Sequence, residues 1–277
     1  MSLQVASINS GSNGNCYYIG NDTEAVLVDA GLTCRETEKR MKRIGLSMDT
    51  VKAIFISHEH GDHIKGVEVL ARKYQLPVYI TPTTLRHSRL QLPAQLVVPF
   101  TAYTPITIGG LTVHPFPKLH DAADPHSFII EGNGVTIGVF TDIGAPCAHL
   151  IDHFTQCHAA FLEANYDEVM LAQGRYPVHL QRRISSDVGH LSNAQALDLF
   201  IAHRPPFMGH IFLSHLSKDN NNPDLALELF MQHHGHTNII VASRYKESEV
   251  YRIHGAVHAP VTKKTIPVPA LVQASLF

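Results

Sequence analysis

The sequence lacks the features that would place a protein in a membrane or send it out of the cell. No uninterrupted apolar run among its 277 residues approaches the ~20 residues that a membrane span needs. The N-terminus enters the alternating segment Leu3–Ile8 directly, without the basic and apolar regions of an export signal. We therefore expect a cytoplasmic protein that does not bind membranes.

Cysteine and positive charge are also scarce. The formal net charge is −2 with histidine neutral, so any contact with a nucleic acid must come from a local basic patch. No Cys-x-x-Cys pair occurs, which fits a reducing compartment and argues against a structural zinc held by cysteine. With 44% hydrophobic residues, the chain can bury the core of one large domain, which we place at residues 1–258. The four cysteines are Cys16, Cys34, Cys147 and Cys157.

Histidine, in contrast, is abundant, and the segment His58–His63 concentrates it. The apolar, β-branched run Val51–Ile56 before this segment predicts a buried strand, and helical spacing follows over Ile64–Tyr74. His-x-His allows two imidazoles to reach one metal ion, while Asp62 and His63 face a neighbouring ion. A histidine-rich surface loop is the alternative, but such a loop would lack both the aspartate and the buried strand.

A centre with two metal ions needs further ligands, which should also lie where strands end. His120, Asp142 and His215 each follow an apolar strand in this way, as His58 does. His114 competes with His120 but lies inside its strand, and His126 is a weaker competitor. We therefore predict that the first three complete the centre.

The remaining pattern predicts an α/β (α+β) fold. Ile106–Ile108 and Leu111–Phe116 flank Gly109-Gly110, and Ser127–Glu131 and Val135–Thr141 flank a second glycine turn, so both pairs indicate hairpins. Helices alternate with strands from about residue 148 onward. Two sheets packed face to face, with helices outside, bury such strands economically and leave the ligands on loops along one edge.

The set of histidines and aspartates resembles the metallo-β-lactamase superfamily, from the first strand to near residue 255. The resemblance implies an αββα sandwich with two divalent metal ions at its edge. The segment between Asp142 and His215 is too short for the large inserted β-CASP domain of some relatives, and His60 stands where the oxygen-reducing members carry glutamate. The implied ligands are His58, His60 and His120 for one ion, Asp62, His63 and His215 for the other, and Asp142 as the bridge.

Further motifs, which are less specific than the ligand set, are similar to those of the YycJ (WalJ) branch, which is related to RNase Z-type nucleases. This branch implies a 5′-to-3′ DNA exonuclease in repair or replication, in which a hydroxide bridging two metal ions attacks phosphorus. Zinc suits the imidazoles, and manganese is the alternative. The motifs are His120–Pro125, Leu162–Asn165, Gly189–Asn193 and Ser214–Ser217 with Asn220-Asn221.

Three residues are expected to act in catalysis, namely Asp62, Glu163 and His190. Glu163 and His190 resemble the pair that relays protons in the tRNA-processing members of the superfamily. In that role an imidazolium protonates the leaving oxygen. The alternative is a buried Glu–His pair that only stabilises the loops. Asp29 is expected to orient a ligand imidazole. Alternative functions are an RNA-processing nuclease, a hydrolase of small thioesters or lactones, and a DNA-binding or scaffold module without activity.

Two further segments predict partner contacts. We expect a basic face that binds DNA (or RNA) phosphates, formed by Arg175, Arg182 and Arg183 with His179. The alternative is that these residues are the solvent-exposed face of a helix and bind nothing. The terminal residues 273–277, Gln-Ala-Ser-Leu-Phe, resemble the peptide that binds the bacterial sliding clamp and follow a linker at 259–272. Leu276 and Phe277 would fill an apolar cleft while Gln273 forms hydrogen bonds; an ordinary apolar tail is the alternative.

Overall fold

Apolar segments bounded by turn residues form strands, and the strands in the middle of each sheet bury both of their faces. The computed structural model describes residues 2–255, so the proposed linker and clamp peptide, with Gln273, Leu276 and Phe277, lie outside the described residues. In chain order the strands are β1 (Ser2–Asn9), β2 (Cys16–Gly20), β3 (Ala25–Val28), β4 (Val51–Phe55), β5 (Val78–Ile80), β6 (Val97–Pro99), β7 (Ile106–Ile108), β8 (Leu111–Pro117), β9 (His126–Gly132), β10 (Val135–Phe140), β11 (Ala159–Glu163), β12 (His210–Ser214), β13 (Asn238–Val241) and β14 (Tyr251–His254).

Helices of six to eleven residues cover the strands, with the four-residue α2 as the exception. Within residues 2–255 every helix is too short or too polar to cross a bilayer. They are α1 (Cys34–Arg43), α2 (Gly61–Ile64), α3 (Val67–Tyr74), α4 (Pro82–Ser88), α5 (Ala148–Phe154), α6 (Glu168–Gln173), α7 (Val178–Ile184), α8 (Asn193–His203) and α9 (Pro223–Met231).

The strands form two sheets of seven, in the orders β14-β1-β2-β3-β4-β5-β6 and β13-β12-β11-β10-β9-β8-β7. Alternate residues of β1 enter different layers: Leu3 and Val5 pack between the sheets, whereas Ala6 and Ile8 pack under the outer helices. The second sheet has its own helix-facing cluster, built around α5, α8 and α9. This confirms the αββα sandwich, and the region between Asp142 and His215 contains no inserted domain.

Parallel pairing places the functional loops at one edge. β3 and β4 run parallel, as do β10, β11 and β12, and Phe140, Leu162 and Leu213 stand in register across the second group. The carboxyl ends of parallel strands meet at the same edge of a sheet, so the residues that follow these strands converge there.

The sequence prediction failed where tertiary contacts decide local structure. The helix expected over Ile64–Tyr74 is broken between α2 and α3, because Gly66 donates its N–H to the carbonyl of Ala30 (2.8 Å) and a Cβ at Gly66 would lie 1.9 Å from the carbonyl oxygen of Leu32. The short strands β6 and β14 and the helices α6 and α7 carry no strong periodic signal and were not predicted.

Candidate dinuclear metal centre

The predicted ligands converge at one end of the sandwich, on the loops that follow β4, β8, β10 and β12. Three residues of this edge adopt the left-handed backbone conformation: Asp29 (φ 60°), Asp142 (φ 55°) and His215 (φ 56°). Non-glycine residues rarely adopt this conformation, and it persists where surrounding contacts hold it, often at functional sites. In each case it turns the chain sharply at the end of a strand.

A first group of ligand atoms consists of ring nitrogens from three histidines. Nδ1 of His60 lies 3.0 Å from Nε2 of His58 and 3.4 Å from Nε2 of His120. Two ligand atoms on one tetrahedral ion with bonds of about 2.1 Å are separated by about 3.4 Å. The Nδ1 atoms of His58 and His120 face the hydroxyl of Ser57 (2.9 Å) and the carbonyl of Gly189 (3.0 Å), which leaves each Nε2 free to face a metal ion.

A second group combines two histidines with two carboxylates. Oδ2 of Asp62 lies 3.6 Å from Nε2 of His63 and 3.5 Å from Nε2 of His215, and Oδ2 of Asp142 lies 3.1 Å from Nε2 of His63. Oδ1 of Asp142 is also 3.8 Å from Nε2 of His120, so this carboxylate stands between the two groups.

Two buried atoms of the centre lack a well-directed hydrogen bond. Within residues 2–255, Oδ2 of Asp142 and Nε2 of His215 are inaccessible to solvent and have only charged neighbours, at 3.1 Å and 3.5 Å, in place of a hydrogen-bond partner of good geometry. A buried polar group normally costs free energy unless it is paired, and a metal ion provides such a partner. The donor set and these two atoms therefore fit a pair of divalent cations.

A family model described as "Beta-lactamase superfamily domain" matches residues 24–211. The chain belongs to the metallo-β-lactamase superfamily. It is 38% identical over 229 residues to exodeoxyribonuclease YycJ of Bacillus anthracis (82% of this chain and 87% of the relative). It is 32% identical over 222 residues to exodeoxyribonuclease WalJ of Streptococcus pneumoniae (78% and 82%). The chain thus falls in the YycJ and WalJ branch.

A solved structure supports the fold alone. The metallo-β-lactamase fold protein YhfI from Bacillus subtilis superimposes with a TM-score of 0.70 at 16% identity, covering 91% of this chain and 100% of that protein. The superfamily match, together with the cluster of histidines and aspartates, indicates that the centre binds divalent metal ions.

Buried partners orient the ligands of this metallo-β-lactamase centre. Asp29, which is fully buried, places Oδ2 2.7 Å from Nδ1 of His63, and it accepts hydrogen bonds from the backbone N–H and the hydroxyl of Ser57 (both 2.8 Å). A carboxylate behind a ligand histidine fixes the ring and its tautomer. Asp29 therefore stands where the sequence predicted it, whereas Ser57 was missed as an orienting residue.

Glu163 is the other buried carboxylate behind the ligands. Its Oε1 lies 2.8 Å from Nδ1 of His190 and 2.9 Å from Nδ1 of His215, and its Oε2 accepts from the N–H of Ile143 (2.6 Å) and of Leu191 (3.3 Å). Burial alone would raise its pKa, but the neighbouring His190 and the hydrogen bonds from both histidines lower the pKa of Glu163 to about 2. Glu163 is therefore ionised at neutral pH.

The same carboxylates hold protons on the second ligand group. Burial opposes the charged form of His215, yet Asp142, Asp62 and Glu163 raise its pKa to about 10. The pKa of His63 is raised well above its usual value by Asp142, Asp29 and Asp62, again against the effect of burial. A metal ion that binds here must therefore displace protons from these two imidazoles.

Two residues close to the ligands were not found from the sequence. Nδ2 of Asn15 lies 3.1 Å from Nε2 of His63 and 3.2 Å from Oδ2 of Asp62. The buried Lys118 donates from Nζ to the carbonyl of Thr141 (2.6 Å), and its burial lowers its pKa although nearby carboxylates oppose that shift. Asn15 lies directly before β2 rather than just beyond a strand end, so the rule that selected the ligands does not find it.

The basic face predicted from the sequence reaches the centre only in part. Arg183 lines the cavity of about 190 Å³ above the ligands, and its Nε lies 2.5 Å from the carboxylate of Asp121. Arg175 is 77% exposed and paired with Asp219. Arg182 lines a different cavity, between α6 and α7, and does not line the cavity above the ligands; its neighbour His179 is exposed.

The competing histidines stay outside the cluster. His114 lies within β8 with Nε2 3.1 Å from the carboxylate of Glu131, and His126 begins β9 with Nδ1 3.0 Å from the carbonyl of Asp124. Both lack the position just beyond a strand end that His120 has. The strand-end criterion therefore selected the histidine that lies beside His58 and His60.

Proposed function

We propose that this protein is a 5′-to-3′ DNA exonuclease that hydrolyses phosphodiester bonds with two divalent metal ions. It is a metal-dependent hydrolase of the nuclease class. The observation that carries the proposal is the convergence of three histidine nitrogens with a second group of histidines and aspartates at one sheet edge. The identity to exodeoxyribonucleases over most of the chain supports DNA as the substrate.

The proposed metal ligands fall into the same two sets as the two groups of ligand atoms described above. We assign His58, His60 and His120 to one ion, Asp62, His63 and His215 to the other, and Asp142 to both. The imidazole-rich set favours zinc, while the carboxylates and a phosphate substrate leave manganese as the alternative. When bound, two such ions supply an activated water and neutralise charge on the phosphate.

The leaving oxygen needs a proton, and His190 is placed to deliver it. Its Nδ1 faces the ionised Glu163 at 2.8 Å, so Nδ1 carries a proton and Nε2 is the free ring nitrogen. His190 lines the cavity above the ligands, and its side chain is 21% exposed. With Nδ1 held by the Glu163 carboxylate, a proton on Nε2 would be the one that is given to the leaving oxygen.

The wider assignments rest on the sequence and on the relatives. We propose a catalytic domain over residues 1–258, a cytoplasmic role in DNA repair or replication, and contact with a sliding clamp through the C-terminal peptide. Deletion of residues 273–277 should abolish binding to a purified bacterial clamp while leaving the hydrolysis of short DNA intact. Clamp binding that survives the deletion would refute the role of the peptide.

The proposal is tested with one strand sequence made as DNA and as RNA. Each strand carries a 5′ or 3′ label and either a 5′-phosphate or a 5′-hydroxyl, and is incubated with the protein loaded with Zn²⁺ or Mn²⁺. We expect the 5′ label to appear first in mononucleotides, from DNA. His60→Ala should abolish the activity, and His114→Ala, which removes a histidine outside the cluster, should not.

Other results would select the alternative functions. Preference for RNA would identify an RNA-processing nuclease. Hydrolysis of glutathione thioesters or lactones without any nuclease activity would identify a small-molecule hydrolase. DNA binding by a protein that contains no metal after purification would point to a module without activity.

A further inference from the structure

A second cavity of about 170 Å³ adjoins the metal centre, and we call it the side cavity. The segment that follows β12 forms one wall, and residues 241–245, at the end of β13 and beyond, form the other. Ser217 lines both this cavity and the one above the ligands. A ligand that reaches the metal centre can therefore extend into the side cavity without leaving the protein surface.

Fixed contacts tie the side cavity to a proposed metal ligand. Ser10, which also lines it, accepts a hydrogen bond from the N–H of His215 (2.7 Å) and donates its own N–H to the carbonyl of Ser243 (3.2 Å). The carbonyl of Arg244 accepts from Nδ2 of Asn13 (2.8 Å). The wall beyond β13 therefore keeps a defined position relative to His215.

Two cations line the side cavity: Lys218, whose charge acts on the neighbouring Asp219, and Arg244, whose guanidinium donates to the carbonyl of Leu216 (3.4 Å). Neither Lys218 nor Arg244 makes an ion pair within residues 2–255. By contrast, Arg175 and Arg183 are each paired with an aspartate, Asp219 and Asp121 respectively. Unpaired Lys and Arg side chains in a cavity attract anions, and guanidinium groups suit phosphate oxygens.

The remainder of the lining is apolar and includes an aromatic ring. Leu216, Pro223, Val241 and Ala242 form this part of the wall. The ring of Tyr245 is beside them and is 70% exposed, with the guanidinium of Arg244 6.0 Å from its centroid. Exposed aromatic rings next to cations are the surfaces on which nucleic-acid bases stack.

The volume of the cavity at the metal centre also indicates that the substrate needs more space than this cavity provides. That cavity holds about 190 Å³, whereas ligand pockets commonly measure about 300 Å³ or more. A nucleotide whose phosphate sits at the ligands must therefore extend beyond this cavity, and the side cavity is the adjoining space.

We propose that the side cavity is the subsite for the nucleotide next to the scissile phosphodiester. Arg244 and Lys218 bind its phosphate, and Tyr245 with the apolar wall receives its base. This inference rests on the proposed nuclease function, because it takes the scissile phosphate to lie at the metal centre.

The test separates this contact from general charge attraction. Binding of a fluorescent single-stranded oligodeoxynucleotide with hydrolysis-resistant phosphorothioate linkages to the metal-loaded full chain is measured by anisotropy, at several salt concentrations. Arg244→Ala and Lys218→Ala should each weaken binding about 10-fold and reduce the dependence of log K on log salt by about 0.7. Tyr245→Ala should weaken binding about 10-fold with an unchanged salt slope.

Lys246→Ala is the matched control, because this exposed lysine lies in the same loop but does not line the side cavity. It should change binding by less than about 2-fold. If Lys246→Ala weakens binding as much as Arg244→Ala, or if Arg244→Ala and Tyr245→Ala bind like the unmodified protein, the inference is overturned.

Kinetics distinguish this inference from the nuclease proposal. On DNA the variants Arg244→Ala, Lys218→Ala and Tyr245→Ala should raise KM about 10-fold with little change in kcat. On bis(4-nitrophenyl) phosphate, which has no neighbouring nucleotide, they should match the unmodified protein. If Arg244→Ala also slows hydrolysis of this small diester, the fold of that variant is disturbed, and Lys218→Ala and Tyr245→Ala then test the subsite. An unmodified protein that cleaves the small diester but no DNA refutes the nuclease proposal and the subsite with it.

Discussion

Replacement of Glu163 by glutamine is the sharpest test of how the buried carboxylate acts. Four donors converge on its two oxygens: the Nδ1 atoms of His190 and His215 on Oε1, and two backbone N–H groups on Oε2. Glutamine keeps the shape but offers one acceptor oxygen and one NH₂ group. Whichever way the amide is oriented, two of the donors meet the NH₂ group.

The expected magnitudes follow from these contacts. Each lost hydrogen bond to a charged group costs about 1.5–3 kcal/mol, so Glu163→Gln should lower the free energy of unfolding by about 3 kcal/mol or more. Without the carboxylate that holds its Nδ1, the His190 ring loses its fixed orientation toward the leaving oxygen, and the loss of general acid catalysis should reduce kcat on DNA about 100-fold or more. Because His215 also loses its partner, the metal content should fall.

The assay compares two leaving groups and two variants. Turnover of single-stranded DNA is compared with that of bis(4-nitrophenyl) phosphate, whose nitrophenolate leaves without needing a proton. His190→Ala, which leaves the contact between Glu163 and His215 in place, should slow DNA hydrolysis alone and keep its metal. If His190→Ala slows both substrates equally, or neither, with full metal content, then the pair only braces the loops and the proton-transfer role is wrong.

Three further predictions concern stability. Removal of metal by a chelator should lower Tm by about 5 °C or more in scanning calorimetry, and added Zn²⁺ should restore it, because metal bound to the native state stabilises it. Gly31→Ala should cost about 3 kcal/mol in denaturant unfolding, since its Cβ would lie 1.7 Å from the carbonyl oxygen of Asp62, whereas Gly209→Ala, with no atom within 4 Å, should cost much less. Hydrogen bonds from Lys73 and two neighbouring side chains lower the pKa of Glu38 to about 2 from 4.5. The stabilisation by Glu38 is therefore complete above pH 4.5 and lost as the pH falls towards 2, so Glu38→Gln should cost about 1 kcal/mol at pH 7 and nothing near pH 2, measured by thermal unfolding across this range.

Local sequence alone determined most of the strands, though not the short β6 and β14, and the choice of the ligand candidates. An apolar run that ends in His, Asp or Glu reports both a buried strand and a polar residue just beyond it, and this information lies within about ten residues of chain. Position relative to a strand end was therefore enough to separate His120 from His114, and Asp142 and His215 were selected by the same criterion. The two-sheet sandwich followed because strands with two apolar faces need a second layer.

Only the tertiary structure decided which distant residues meet. Arg175 and Arg183 looked like free cations, but Asp219 and Asp121 approach them from other loops. The tertiary structure also decided the position of Arg244, because the end of β13 brings it to Ser217 beside the metal centre. Ion pairs and cavities between loops depend on contacts across long stretches of chain, and sequence periodicity reports only the nearest turns of a helix or strand.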